Sequence, residues 1–289
     1  MTRLLLLLLL LIPLPAWAGF DPALLEQIGS NYRGAQPGLE SYAVTVSTPK
    51  VGEMIAQMTT NLPADVPRPE TPQLTKYWSR AVMASVVMAE GKNLLPTMRE
   101  MVERFSREFA VDLPLTLFPP NRAAQRAAWF QQGTAEVTET RLDGHRRLVV
   151  RLSFAQPVDL DGAFFGRALP VPQRNLTELS FDLDPDLGLL HQVDFVTAAN
   201  QHISMEIRHQ EFSGKQLPTE LRVTSPDGRI DDHLQTKLGK VGGFWVPVQQ
   251  LRISVRPDRK ETVTVVFSGY RINIPIPAAV LQRLGSDGL

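Results

Sequence analysis

Between Asn175 and Pro277 the chain alternates apolar and polar residues, and this stretch restricts the possible fold more than any other. The apolar residues of Thr177–Leu183 fall on every second position, as do Ile203, Met205 and Ile207. Leu251, Ile253 and Val255 repeat the pattern, and so do Val263, Val265 and Phe267. A period of two gives each strand one apolar face and one wet face. Turn residues separate the segments at Asp184-Pro185-Asp186, Pro226-Asp227-Gly228, Gly242-Gly243 and Arg256-Pro257-Asp258. The expectation is a run of antiparallel strands whose apolar face is covered by something else in the chain.

The first segment is not expected to belong to that fold. Residues 1–18 read as a secretory signal, with Arg3 as its cationic start, Leu4–Ile12 as its apolar run and Ala16-Trp17-Ala18 as its cleavage site. The expected mature protein is periplasmic and begins at Gly19. The chain has no cysteine, so no disulfide staples it and no lipid is attached through one. Lys and Arg number 30 and Asp and Glu number 30, a balance with no footprint for nucleic acid and no polybasic patch for anionic lipid.

Residues 19–289 are expected to form a single domain. Asp21-Pro22 starts a short helix carrying Leu24, Leu25 and Ile28 and ending near Gly29–Gly34. Glu40–Thr48 alternates as a strand, and Val51–Thr60 fits either strand or helix. Prolines keep Asn61–Thr75 in a loop. Lys76-Tyr77-Trp78 follows, and Ala81–Met88 reads as a strand. Leu95–Ala110 is the clearest helix, with Met98, Met101, Val102, Phe105 and Phe109 on one face. Asn121 is placed to cap a second, alanine-rich helix through Phe130. Strands resume at Ala135–Leu142 and Arg147–Phe154, and Ala278–Leu284 closes the chain with a helical turn or two. Helices segregated from a long antiparallel run predict an α+β fold in which a strongly curved sheet, a half-open barrel, holds helices over its concave face.

No reactive constellation stands out. The five histidines read as surface residues, with His202 and His209 on opposite faces of one strand. Asp231-Asp232-His233 is the nearest approach to a ligand cluster, and solvated loop charge explains it. Asp182/Asp184 and Asp159/Asp161 sit at turns, where aspartate serves the backbone. The chain has no nucleophile elbow and no phosphate-cradling loop. The expectation is no catalytic residue, no metal and no cofactor, hence a binding protein rather than an enzyme. Six methionines, Met54, Met58, Met83, Met88, Met98 and Met101, fall between residues 54 and 101. Methionine adapts to varied apolar shapes, so these fit either a pliable lining for flexible chains or ordinary core filling.

The passage Gly38–Val46 after the first helix, Arg68-Pro69 followed by Tyr77-Trp78, Gly243–Pro247 and Phe267–Pro277 together resemble the LolA-type lipoprotein-sorting and carrier proteins of Gram-negative bacteria. The resemblance is diffuse and spans most of residues 20–282, and Asn61–Leu117 is longer than a minimal carrier needs. It implies a half-open barrel closed by helices around an apolar cavity that takes acyl chains of lipoproteins, or other lipids, on the way to the outer membrane. It implies an inner- or outer-membrane transfer partner for a monomeric carrier, and a lid held by Arg68 beside Trp78. The expected cavity residues are Met98, Met101, Phe105 and Phe109 on the helix, Phe181, Phe195 and Met205 on the late strands, and Trp245. The family's RseB-type relatives imply the alternative, an envelope sensor that binds a protein.

Overall fold

The computed structural model describes residues 20–63, 65–142, 144–166 and 168–287, so the expected signal segment lies outside the described residues. Helix α1 (Ala23–Gly34) begins where Asp21 Oδ1 accepts the Ala23 N–H at 2.9 Å. Strand β1 (Ser41–Ser47) follows. The ambiguous segment after it is helix α2 (Pro49–Thr59), started by Pro49 and by the Thr48 hydroxyl, which accepts the Lys50 N–H. Next come β2 (Gln73–Ser79), β3 (Ala84–Glu90), α3 (Pro96–Phe109), the short α4 (Leu113–Thr116) and α5 (Ala123–Gln132). Asn121 is not the cap of α5. A 3-10 turn over Pro120–Arg122 leads into it, because the ring of Pro120 already fixes a helical φ.

The rest is a meander: β4 (Thr134–Leu142), β5 (His145–Val158), β6 (Leu176–Asp184), β7 (Leu189–Thr197), β8 (His202–Phe212), β9 (Lys215–Thr224), β10 (Asp231–Val241), β11 (Phe244–Arg256) and β12 (Arg259–Ile272), closed by helix α6 (Ala278–Asp287). The twelve described strands make one antiparallel sheet in the order β3-β2-β1-β12-β11-β10-β9-β8-β7-β6-β5-β4. Strands from the start of the chain thus extend the sheet beyond its last strand. The α+β class stands as expected. The strong curl of a half barrel does not: the sheet is open, and β3 and β4 are its two edges.

Register corrects one face. Gln250 lies opposite Val265 and Arg252 opposite Val263, so Leu251, Ile253 and Val255 point away from the apolar set of β12. Gln250 takes an inner position of β11 because it holds backbone from the cover, described below.

Helices α1 to α5 cover one face in two groups. Under α1, α4 and α5 a large core gathers Phe118, Phe164, Phe165, Phe181 and Phe195, each at most 1% exposed. Under α2 and α3 a second core gathers Tyr42, Trp78, Val102, Val263 and Phe267. Each aromatic buried in this way contributes about 1.5–3 kcal/mol. Helix α6 lies on the other face of β3, where Val280 and Leu284 meet Val86. Edge strand β3 is therefore sandwiched, and Glu103 on α3 accepts its Ala89 N–H at 3.0 Å while pairing with Arg283 on α6 at 2.7 Å. An edge covered in this way is closed to foreign strands.

Arg126 ties the first core to its cover. It is fully buried and meets both Glu26 oxygens at 2.6 Å, then donates to the carbonyls of Pro119 (2.8 Å) and Ala163 (2.5 Å). One side chain thus joins α1, the start of α5 and the 160–166 segment. Arg126→Met should lower stability by about 3 kcal/mol, since three acceptors lose their donor. Urea unfolding of the mature chain should show a lower midpoint at unchanged slope, and a change under about 1 kcal/mol would contradict this role.

Candidate functional site

The two covering groups are joined by a strap, residues 110–116, that runs from α3 through α4 across the inner face of the sheet. Polar side chains from the sheet hold it. Lys76 falls in phase with Leu74 and Trp78 on β2 and is 1% exposed. Its Nζ donates to the Ala110 carbonyl at 2.6 Å and pairs with Asp112 at 2.7 Å. Gln250, equally buried, donates through Nε2 to the Val111 carbonyl at 2.6 Å and to Thr236 Oγ1 at 3.0 Å. The Tyr42 hydroxyl donates to Asp112 at 3.2 Å. Burial, then the Asp112 charge, pushes the Tyr42 hydroxyl well above the ordinary tyrosine range, so it remains a donor. Beyond the strap, Arg33 on α1 donates to the Phe118 carbonyl at 2.7 Å.

Under this strap lies a cavity of about 90 Å³. Tyr32 from α1, Gln36 and Leu39 from the α1–β1 linker, Tyr42 from β1 and Trp78 from β2 line one side. Leu217, Leu238 and the segment Trp245–Pro247 line another, with Val111–Leu115 overhead. The lining comes from three packed clusters: Tyr32 and Leu113 from the first core, Tyr42 and Trp78 from the second, and Leu217 with Trp245 from a small third one. The space exists because none of the three fills the place where they meet. Val111, Asp112 and Leu115 also line a second cavity, of about 270 Å³, between the strap, the start of β3 and residues 161–168. The strap is therefore a partition between two hollows.

Of the residues expected to form a cavity, Trp78 and Trp245 line the smaller one. Trp78 stacks on Tyr42 with ring centres 5.5 Å apart, and Trp245 donates its indole N–H to Ser213 at 3.2 Å. Phe181, Phe195 and Met205 are fully buried in the first core. Met98, Phe105 and Phe109 pack in the second, and Met101 is exposed. Of the methionines, Met54, Met58 and Met98 pack with the second core, Met88 faces α6 and Met83 lines the second cavity. Arg68 is exposed and offers its carbonyl to Asn93, whereas Arg80 holds the α1–β1 linker by donating to Leu39 (2.6 Å) and Gln36 (2.5 Å) carbonyls. The signal for Lys76 was available in the sequence, as a charge at an apolar-phase position of a strand.

Among the described residues no group of three or more His, Asp or Glu is arranged to hold a metal. The residues Asp231, Asp232 and His233 lie on a strand, not in a loop, and diverge to separate partners. Asp231 pairs with Arg222 (3.1 Å), His233 with Glu220 (2.8 Å), and buried Asp232 with Arg256 (2.6 Å) and Ser254. No described helix is long and apolar enough to cross a membrane.

No known family and no curated protein matches the chain. Among solved structures it is similar to a domain from Vibrio parahaemolyticus described as an outer membrane lipoprotein-sorting protein, at 7% identity and TM-score 0.35, covering 93% of this chain and all of that one. It is similar to a LolA superfamily protein from Nitrosomonas europaea at 9% identity and TM-score 0.32, over 89% of this chain and 95% of that one. It is also similar to MucB, solved in complex with MucA, at 10% identity and TM-score 0.22, over 91% of this chain and 97% of MucB.

Contrary to the surface reading, His209 lies in the interior and anchors α1. Its Nε2 shares a hydrogen bond with the Tyr32 hydroxyl at 2.8 Å, and the same hydroxyl accepts the Leu190 N–H at 2.9 Å. Burial, then neighbouring His191, pulls the His209 pKa down from 6.5 to about 3. The folded protein thus keeps His209 neutral to low pH, while the unfolded chain protonates it near pH ~6.5. Between those values the unfolded state binds the extra proton, so stability should fall as pH drops, by up to about 1.4 kcal/mol per pH unit for this residue. His209→Gln, which keeps an acceptor for Tyr32, should flatten the profile by about one proton's slope. Unfolding midpoints measured from neutral to mildly acidic pH give the check.

Proposed function

We propose that the protein binds an apolar chain, above all the acyl chain of a lipid or lipoprotein, beneath the strap, and shields it during passage through the aqueous periplasm. The observation that carries this is the unfilled apolar hollow where three packed clusters meet, roofed by a segment held through polar contacts rather than packing alone. The reading agrees with the resemblance in the sequence.

Magnitudes decide how such a chain would be held. A dry apolar cavity of about 150 Å³ accepts benzene. A hollow of about 90 Å³ therefore admits only a few methylenes with the strap down. Each methylene removed from water contributes about 0.8 kcal/mol, so a long chain contributes on the order of 10 kcal/mol. The strap's contact through Gln250 is worth about 1–3 kcal/mol, and parting from buried Lys76 costs several kcal/mol unless water enters to meet its ammonium. Entry of a long chain thus offsets loss of those contacts, and lifting the strap merges its space with the hollow behind it. Helices with a movable join match carriage better than permanent storage would.

Two measurements test the reading. Protein purified from the periplasm should yield acyl lipids on solvent extraction and mass spectrometry, and should bind a fluorescent acyl probe after delipidation. Consistently empty protein that takes no probe would refute it. In addition, Gln250→Ala should speed amide hydrogen exchange at residues 111–115 and raise the probe's on-rate several-fold, because Val111 loses its donor. An unchanged on-rate with faster exchange would separate the strap from the entry path.

A further inference from the structure

We propose that this cleft selects amphiphiles with an anionic head, which Arg80, aided by Arg33, meets at its mouth. The inference rests on the cleft taking an apolar chain and adds which class of chain it takes. Three charged residues line the hollow: Arg33, Arg80 and Asp112. Asp112 is already answered by Lys76 at 2.7 Å. Neither arginine has a comparable partner. Arg33 donates to the Phe118 carbonyl, and the carboxylate near it, Glu26, is held by both arms of Arg126. Burial, then the Arg126 charge, lowers the Arg33 pKa, and the Glu26 charge opposes them only in part. Arg80 gives Nε and Nη2 to the carbonyls of Leu39 and Gln36, and its nearest carboxylate is Glu40 at 3.6 Å, whose side chain is 64% exposed.

The guanidinium of Arg80 lies 6.0 Å from the Trp78 ring, over one wall of the cavity. The Arg80 side chain is 26% exposed and also lines the hollow, so it borders both the cavity and water. The two carbonyl bonds fix its plane, and Nη1 has no hydrogen bond among the described residues. A carboxylate or phosphate carried on an apolar tail satisfies both halves: the tail displaces the void, and the head accepts from Nη1 in a charge-assisted bond. An uncharged head gains the tail's burial alone.

Tryptophan quenching reads this directly, because Trp78 and Trp245 line the hollow. The delipidated full-length mature chain is titrated with an ω-bromo fatty acid and with the ω-bromo alcohol of the same length. The acid should bind about tenfold more tightly, the scale of one charge-assisted bond. An alkyl phosphate tested by competition shows whether a phosphate head shares that advantage. Arg80→Gln should remove the preference and leave alcohol binding in place, whereas Arg80→Lys should retain part of it. Equal affinity of the wild-type protein for acid and alcohol overturns the head-group assignment while leaving apolar binding intact. Quenching by neither ligand overturns the cleft's function as well.

Discussion

The buried ammonium of Lys76 holds the strap, the join between the two halves of the cover, to the sheet. It sits at an apolar-phase position of a strand, out of water, and meets a carbonyl and a carboxylate of the strap. A lysine left unpaired there would cost several kcal/mol, so the strap cannot leave Lys76 without water or another anion taking its place. With Gln250 opposite, it fixes where α3 ends and α4 begins. The positions of Val111, Leu113 and Leu115, and hence the hollow below them, follow from those bonds.

The two halves of the cover differ in how they are built. The first core is packed solid around a set of phenylalanines in which Phe181 touches Phe118, Phe164 and Phe165 at ring distances of 5.4–6.5 Å. Interiors packed to crystal density give little room for a guest without rearrangement. Near the strap, polar contacts replace apolar ones, and the packing stops short of closure. A region whose restraints are a few buried hydrogen bonds can open without unfolding the rest, since each of its bonds is small against the total burial of the cores. The sheet supplies a rigid floor, and any movement falls to the strap and the ends of the helices it joins.

Much of the floor was legible in the sequence and little of the site was. Period-two patterns located the late strands, since Ile203, Met205 and Ile207 all face the core. The same rule misjudged β11, because Leu251, Ile253 and Val255 copy the pattern on the outer face while Gln250 takes an inner position. Alternation reports a period and not its phase, and phase needs the neighbouring strand. Helix α2 was hidden because Val51, Ile55 and Thr59 repeat at a spacing that a short apolar strand also tolerates. His209 was taken for a surface residue although it shares its phase with Ile203, Met205 and Ile207. Its tyrosine partner stands 177 positions away, and no local signal joins them. Arg68 lies exposed beside its proline, and it is Arg80, past the aromatics, that reaches backbone carbonyls of the α1–β1 linker.

The two sheet edges show why a cover with one weak join does not threaten the fold. Edge β3 is enclosed by α3 on one face and α6 on the other, with Glu103 taking its Ala89 N–H. The strap begins at the C-terminal end of α3, while Glu103 lies in the middle of that helix and its partner Arg283 lies on α6. Opening there leaves the edge sealed, so exposure of the interior does not carry exposure of an unpaired strand with it. The opposite edge, β4, is exposed along nearly its whole length and lies far from the strap in strand order. Its charges, Glu136, Glu139 and Arg141, discourage strand addition where no helix does so. Protection is thus strongest at the edge next to the movable part, which is where an opening chain would otherwise be most exposed to aggregation.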